Sequence, residues 1–561
     1  MDHGRYKWVA LSNTTFGVLL ATIDASIVII SMPNIFRGIR LDPLAPANSF
    51  YLLWMILGFL VVSSVLVVSL GRLGDLYGRV RMYKLGFVIY TVASLLLTID
   101  WMHGRAGADW LIGFRVLQGI GAAFLVGNSV AILTDAFPPH QRGLALGLNN
   151  VVGISGQFLG LVLGGVLAPI DWRLIFLVSV PLGVVGTIWA HLKLREVGVR
   201  DEAPVDWAGN VTFACGLVLV MIGITYGIRP HGGSSMGWTS PLVDGSLAIG
   251  VAVLAAFVVI ESRVPHPMFS LPLFKIRAYT SGVLANFLCS LARGGLMFML
   301  IVWLQGIWLP EHGYSFTRTP MWASIYMLPS TFGFLVAGPL AGILSDRFGA
   351  RWFSTVGMLG VAGAFALLIA LPTNFSYPMF AGVLFVSGLS MGAFSAPNRA
   401  SLMNSLPAVH RGAGSGMNVT FQNSAQVLSI GVFFTLLIVG LSAHLPGVLD
   451  AGLRAHGVPP ATAHHVASLP PVSVVFSAFL GYNPVHVLLG PHVLAHVSAA
   501  NAAVLNGQHF FPSLIAAPFR VGLHNAFLFA IVACLVAAAV SWSRGPRVVE
   551  EVEPVAVSDA A

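Results

Sequence analysis

Fourteen predominantly apolar runs constrain this chain more than any other feature. They lie at roughly 8–33, 50–71, 82–99, 109–134, 142–168, 174–194, 208–227, 243–261, 278–308, 320–344, 354–371, 377–403, 412–441 and 521–541. A hydrocarbon core of roughly 30 Å takes about 20 helical residues at 1.5 Å each, and a helix satisfies its own backbone groups where water is absent. An all-α membrane protein is therefore expected. Only 9% of the residues are charged, whereas soluble domains carry about 25%. The 561 residues also exceed the roughly 250 to 300 at which one core stops growing, so at least two bundles are expected.

An even number of spans puts both termini on one side. Eighteen basic residues fall in the loops on that side and eight in the others, so the positive-inside rule predicts cytoplasmic termini. The same distribution accounts for the net charge of +8 without nucleic acid, because the cations sit in short loops rather than on one face. Arg115, Arg293 and Arg399 are left over, inside predicted spans. The first apolar run passes twenty residues without a cleavage site and is expected to stay as the first helix. Cys215, Cys289 and Cys534 lie in apolar segments without metal-ligand spacing, which predicts core thiols and no metal site. No GxxxxGK[ST] occurs, so the chain has no P-loop for ATP.

The sequence repeats itself. GRLGDLYG (71–78) returns as GILSDRFG (342–349) at an offset of 271, and RGLALGLN (142–149) returns as RGAGSGMN (411–418) at 269, the offset that also relates Gln157 to Gln426. Both pairs run in the same sense, which predicts parallel repeats. Spans 1–6 (residues 1–200) pair with spans 9–14 (271–545), and spans 7 and 8 (201–270) belong to neither half. Residues 546–561 form a tail. The 442–520 stretch is expected to be a flexible polar loop on the side away from the termini, because VSVVFSAFL (472–480) is too short to span. Its eight histidines leave a pH sensor or metal site as an alternative, without diagnostic spacing.

These motifs carry a resemblance. GRLGDLYGRVR (71–81) resembles the loop motif between helices 2 and 3 of the major facilitator superfamily, and FRVLQGIGAA (114–123) is similar to its helix 4 motif. DWRLIFLVSVPLG (171–183) resembles the signature before helix 6 of that superfamily's fourteen-helix drug:proton antiporter branch. The resemblance covers nearly the whole chain except 442–520 and the tail. It implies a major facilitator fold of two six-helix bundles plus two extra transmembrane helices. It also implies proton-driven efflux of small amphipathic molecules, of the multidrug type, by a monomer with no cofactor and no catalytic residue. Arginine outnumbers lysine 25 to 4, which associates the chain with a GC-rich bacterium and hence with a bacterial cell membrane.

Three groups of residues are candidates. Gly71, Gly74 and Gly78 permit close approach in a loop where Asp75 can meet a helix N-terminus or Arg79; Arg81 belongs to the same loop, and Asp346 and Arg347 to its repeat. The resemblance implies that this loop stabilises the outward-facing form, and a solvated basic turn is the alternative. Gly156, Gly160 and Gly164 share one face of span 5, where they serve helix packing, rocking, or both. Gln157 stands there where the family usually has proline.

Asp24 and Arg115 form the third group. A charge at the centre of a spanning helix costs roughly 2.5 to 3.5 kcal/mol and marks a functional position. Counted along their helices, Asp24 lies about 24 Å from one face and Arg115 about 9 Å from the other, nearly the same depth. Burial favours a carboxyl's neutral form and a nearby cation its charged form, so relative movement of the two would take up or release a proton. The resemblance implies proton coupling or substrate contact for the acid and proton relay for the arginine; a static buried ion pair is the alternative. Gln118, Arg293, Gln305 and Trp303 are candidates for lining a cavity or for packing. Asp24 is the sole acid placed deep in a span, so polycations are poor candidate substrates, and neutral, zwitterionic or anionic amphipaths are favoured. Ile29 and Ser179 stand where the family carries asparagine, which predicts a less polar cavity. Uptake by proton symport or export of an endogenous lipid or metabolite is the rival transport reading. An intramembrane enzyme would need cooperating catalytic groups, and a sensor an output domain; neither is visible.

Overall fold

The computed structural model describes residues 3–545 except 43–44, 46–47, 139–140, 198–205, 228–230, 233–235, 266, 268, 373, 408–410 and 481–483. Fourteen of its helices are long and apolar enough to cross a membrane. They are α1 (Arg5–Gly38), α2 (Phe50–Tyr77), α3 (Arg79–Thr98), α4 (Gly104–Ala136), α5 (Leu144–Leu167), α6 (Leu174–Lys193) and α7 (Trp207–Gly227), followed by α8 (Pro241–Glu261), α9 (Arg277–Glu311), α10 (Thr319–Ser345), α11 (Ala350–Ala370), α12 (Tyr377–Asn404), α13 (Gly414–Ser442) and α14 (Phe510–Trp542). Among the described residues there is no strand. The tail, 546–561, lies outside the described residues.

The repeat is physical as well as textual. Gly78 ends α2 at φ 108° and Gly349 ends α10 at φ 86°, a region that side chains with a Cβ rarely enter. Each donates its N–H to a carbonyl four residues back, Gly74 at 2.9 Å and Ser345 at 2.8 Å, so each half makes the same tight turn into its third helix. Packing agrees. α1 packs on α5, α2 on α4, α3 on α4, and both α1 and α3 on α6; in the other half α9 packs on α13, α10 on α12, α11 on α12, and both α9 and α11 on α14.

α7 and α8 pack on each other, and α7 also meets α2 of one half and α13 of the other. The Ser69 hydroxyl donates to Asn210 Oδ1 on α7. Phe213 and Phe257 pack on Phe269, which meets Phe421 of α13 at 5.6 Å between ring centroids. The extra pair is thus fastened beside the seam between the halves.

Backbone approach explains the small residues of α5. A Cβ on Gly156 would sit 2.2 Å from Thr22 Oγ1, on Gly160 2.3 Å from the Ile23 carbonyl oxygen, and on Gly164 2.8 Å from that of Ile27. All three face α1, as a helix face spaced by four allows.

The segment after α13 differs from the expected flexible loop. It forms short helices at Leu445–Ala455, Pro460–Ala467, Pro471–Phe479, Pro484–His496 and Ala499–Asn506, and α14 begins at Phe510 rather than near 521. Proline near the start of four of them favours a first helical turn. VSVVFSAFL does not span. Its Val475 and Phe479 are buried, Phe476 stacks on Phe434 of α13 at 5.0 Å and Phe479 meets Phe298 of α9 at 5.7 Å, while Pro471–Phe479 also touches α2. An apolar wedge therefore caps the seam on the face away from the chain ends.

Candidate proton site and transport cavity

Asp24 sits on α1 with no exposed surface, and Arg115 and Gln118, one helical turn apart on α4, are buried beside it. Tyr90 of α3 and the Gln118 side-chain amide both donate to Asp24 Oδ2, and the Ser179 hydroxyl of α6 donates to Oδ1 at 3.3 Å. Four helices of one bundle converge on a single carboxyl. Arg115 reaches it through an intermediary: Nη1 donates to Gln118 Oε1 at 2.7 Å, and Nη2 lies 3.4 Å from the Asp24 backbone carbonyl. No ion pair joins the two side chains directly. Nε lies 3.4 Å from the Met55 carbonyl, and the guanidinium rests 4.3 Å from the centre of the Phe59 ring.

The Gln118 amide nitrogen also donates to Ser94 Oγ at 2.9 Å. Its carbonyl thus faces the cation and its nitrogen the acid, the one orientation that satisfies both. Tyr90 has a second acceptor within reach, the Leu20 carbonyl at 3.1 Å. When the carboxyl takes up a proton it becomes a donor; Tyr90 can then turn its hydrogen to Leu20 and accept from Asp24. Sequence reasoning missed Tyr90 and Ser94, since a hydroxyl inside an apolar run gives no signal without the register of the neighbouring helix.

A cavity of about 210 Å³ lies between the halves. Its walls come from 18–29 of α1, 149–157 of α5, 290–297 of α9 and 419–430 of α13, among others, the middles of these helices and their halves nearer the chain ends. On the opposite face the seam is shut: the Ser324 hydroxyl donates to the Leu161 carbonyl at 2.7 Å, and Gln305 Nε2 lies 3.4 Å from the Ile30 carbonyl. Arg293 and Arg399 line the cavity with Gln157 and Gln426, the repeat-related pair, and with Asn149, Asn150, Gln422 and Asn423. Among the described residues no carboxylate does. Arg293 Nη2 lies 3.4 Å from Gln157 Oε1, and among the described residues the Arg399 side chain has no hydrogen-bond or ion-pair partner.

The candidates named from sequence therefore divide. Arg293 lines the cavity. Asp24, Arg115 and Gln118 do not, although Phe59, on whose ring the Arg115 guanidinium rests, lines it together with Ala21, Ala25 and Ala122. Gln305 is buried in the α9 segment Leu304–Trp308, where the helix widens to a π turn at the closed seam, and Trp303 packs against Phe375 at 5.1 Å. Asn149, Gln157 and Gln426 stand out in the sequence through the repeat, and none of the six amides reads there as lining the cavity, because asparagine and glutamine lower the hydropathy of a long run only slightly.

At the face of the chain ends, Asp75 Oδ1 accepts from Arg79 Nε at 2.8 Å, with Arg72 at 3.6 Å, and Arg79 also pairs with Asp135 at the end of α4. The Val80 N–H donates to Glu196 Oε1 at 3.2 Å. A Cβ on Gly74 would fall 1.7 Å from Asn128 Oδ1, and one on Gly71 3.5 Å from the Gly127 carbonyl oxygen. Every one of these contacts stays within the first half. Arg81 is exposed outside the cluster; Arg347 is exposed beside Phe348, 5.6 Å from its ring centre. The Asp346 side chain lies outside the described residues.

Comparison with known proteins agrees with this geometry. Residues 14–430 match the Major Facilitator Superfamily. The chain is 26% identical over 451 residues to the riboflavin transporter RibZ of Clostridioides difficile, covering 78% of this chain and 90% of that one. It is 24% identical to multidrug resistance protein 3 of Bacillus subtilis, covering 77% and 79%, and 28% identical to the methyl viologen resistance protein SmvA of Salmonella typhimurium, covering 81% and 86%. Among solved structures, a bacterial homologue of the human lysosomal transporter Spinster, inward-facing and unoccupied, superposes with a TM-score of 0.58 at 16% identity over 97% of this chain and 99% of that one. That likeness concerns the fold alone. With a family match across most of its length and paired six-helix halves around a central cavity, the chain belongs to the Major Facilitator Superfamily.

Proposed function

We propose that the chain is a proton-driven secondary antiporter that exports small amphipathic molecules across a bacterial cell membrane, working as a monomer with both termini cytoplasmic. The observation that carries this reading is the Asp24 carboxyl, held by four helices of one bundle and linked to the cavity wall through Gln118, Arg115 and Phe59. Protonation would exchange its donors for an acceptor and repack Tyr90 and Gln118. Because Phe59 bears on both Arg115 and the cavity wall, that repacking reaches the substrate space. Arg293 and Arg399, without a lining carboxylate, favour neutral, zwitterionic or anionic substrates over polycations. One charge crossing 100 mV releases about 2.3 kcal/mol, enough for roughly a fiftyfold gradient at 1.4 kcal/mol per tenfold.

Replacing Asp24→Asn tests the reading in everted vesicles. Substrate binding should persist while substrate-driven loss of an acid-inside gradient disappears; coupling at the wild-type rate would sink the assignment. The riboflavin transporter among the relatives favours a second reading, movement of an endogenous metabolite, by export or proton symport. The same vesicles separate antiport from symport, since only antiport discharges the acid-inside gradient when substrate is added outside, and comparing riboflavin with an amphipathic drug as the added substrate separates metabolite export from drug efflux.

A further inference from the structure

A second cavity, of about 400 Å³, opens on the face of the chain ends where α10, α12 and α14 end and α11 begins, and it shares no lining residue with the transport cavity. Arg347, Arg351 and Arg544 line it, and among the described residues no carboxylate does. Arg544 is only 5% exposed. Its Nη2 donates to Asn398 Oδ1, but among the described residues Nε and Nη1 have no acceptor, and neither has Arg351 Nε. Burial with so few acceptors holds the Arg544 guanidinium down to about 10, still protonated at neutral pH. Arg351 is fixed in place over the Trp542 ring, 3.9 Å from its centre. Buried cations with unused donors are costly until an anion supplies the missing acceptors.

The surroundings say where that anion comes from. Phe348 and Trp352 line the cavity yet remain 61% and 59% exposed, and Ile343 and Leu344, one turn further into the span, are exposed as well. Aromatic residues at a span's end sit at headgroup level, and basic pockets between spanning helices take lipid phosphates. We propose that this pocket binds an anionic phospholipid of the adjoining leaflet, with Arg351 and Arg544 holding the phosphate oxygens and the acyl chains lying along Phe348 and Ile343. The rival occupant is the chain's own tail, whose Glu550, Glu551 and Glu553 lie outside the described residues.

Native mass spectrometry of the full-length protein, offered dioleoyl phosphatidylglycerol against dioleoyl phosphatidylcholine, tests the proposal. The wild type should retain phosphatidylglycerol preferentially. R351Q/R544Q should lose roughly thirtyfold of that preference, the worth of two arginines near an anionic headgroup, and R351K/R544K should keep part of it, because charge survives while the planar fork is lost. E550Q/E551Q/E553Q should behave as wild type. Equal retention of the two lipids by the wild type overturns the proposal, as does a preference unchanged in R351Q/R544Q. A preference seen only with the neutralised tail would give the pocket to the tail, and displacement by equimolar inorganic phosphate would make free phosphate the ligand. If R351Q/R544Q fails to fold, the lysine variant and the wild-type competitions still decide.

Discussion

At the scale of the residue, a single oxygen carries the coupling argument. Asp24 Oδ2 receives both Tyr90 and Gln118, and hydrogen bonds to a charged acceptor are worth about 1.5 to 3 kcal/mol each. Tyr90→Phe removes one of them while leaving the ring in its packed site, so the ionised acid loses support that the neutral acid needs less. The pH at which transport falls to half on the alkaline side should rise by about one to two units, at 1.36 kcal/mol per unit. A pH profile of proton-coupled efflux, wild type against variant, reads this directly, and an unmoved profile would leave Tyr90 a packing residue. The acid and Arg115 were legible in the sequence because charge is rare in an apolar run. Their connection through Gln118, rather than by direct contact, was not, since helical rise gives depth but not the rotation that aims each side chain.

At the scale of the element, close backbone contact between α1 and α5 sets a steric limit. Leucine at position 160 would push its Cβ to within 2.3 Å of the Ile23 carbonyl oxygen, and overpacking of this kind costs about 1 to 3 kcal/mol. Gly160→Leu should therefore lower the unfolding midpoint of the purified protein. Gly147→Ala on the same helix, with nothing within 4 Å of the added carbon, should raise it slightly through helix propensity. Equal midpoints for the two variants would show that α5 does not depend on this approach. Hydropathy made these helices legible, because each needs a long uninterrupted apolar run, and spacing by four marked the glycine face. The Pro471–Phe479 wedge escaped the same reasoning: a nine-residue apolar stretch reads alike whether it floats or packs, and its burial against Phe434 and Phe298 depends on distant helices. The start of α14 was placed late because Pro512, Pro518 and Arg520 interrupt its first turns.

For the whole molecule, the two repeats meet in one arrangement, with the cavity between the halves set nearer the chain ends and the other face shut by α5 against α10 and by the wedge. Around Asp75, the contacts with Arg79 and Arg72 and the Arg79–Asp135 pair all lie within the first half. α7 touches both halves at the seam, so any rocking of one half against the other must slide along it. Alternating access requires the shut face to part, and the Ser324–Leu161 contact at 2.7 Å lies in its path. A chain carrying Leu161→Cys and Ser324→Cys, with Cys215→Ala, Cys289→Ala and Cys534→Ala, should form a disulfide on oxidation and lose transport, and reductant should restore both. Loss of transport with retained substrate binding would place the block in the movement rather than in the cavity. Full transport by quantitatively cross-linked protein would mean that the halves do not separate along this seam, and the rocking of matched bundles would have to be abandoned for this chain.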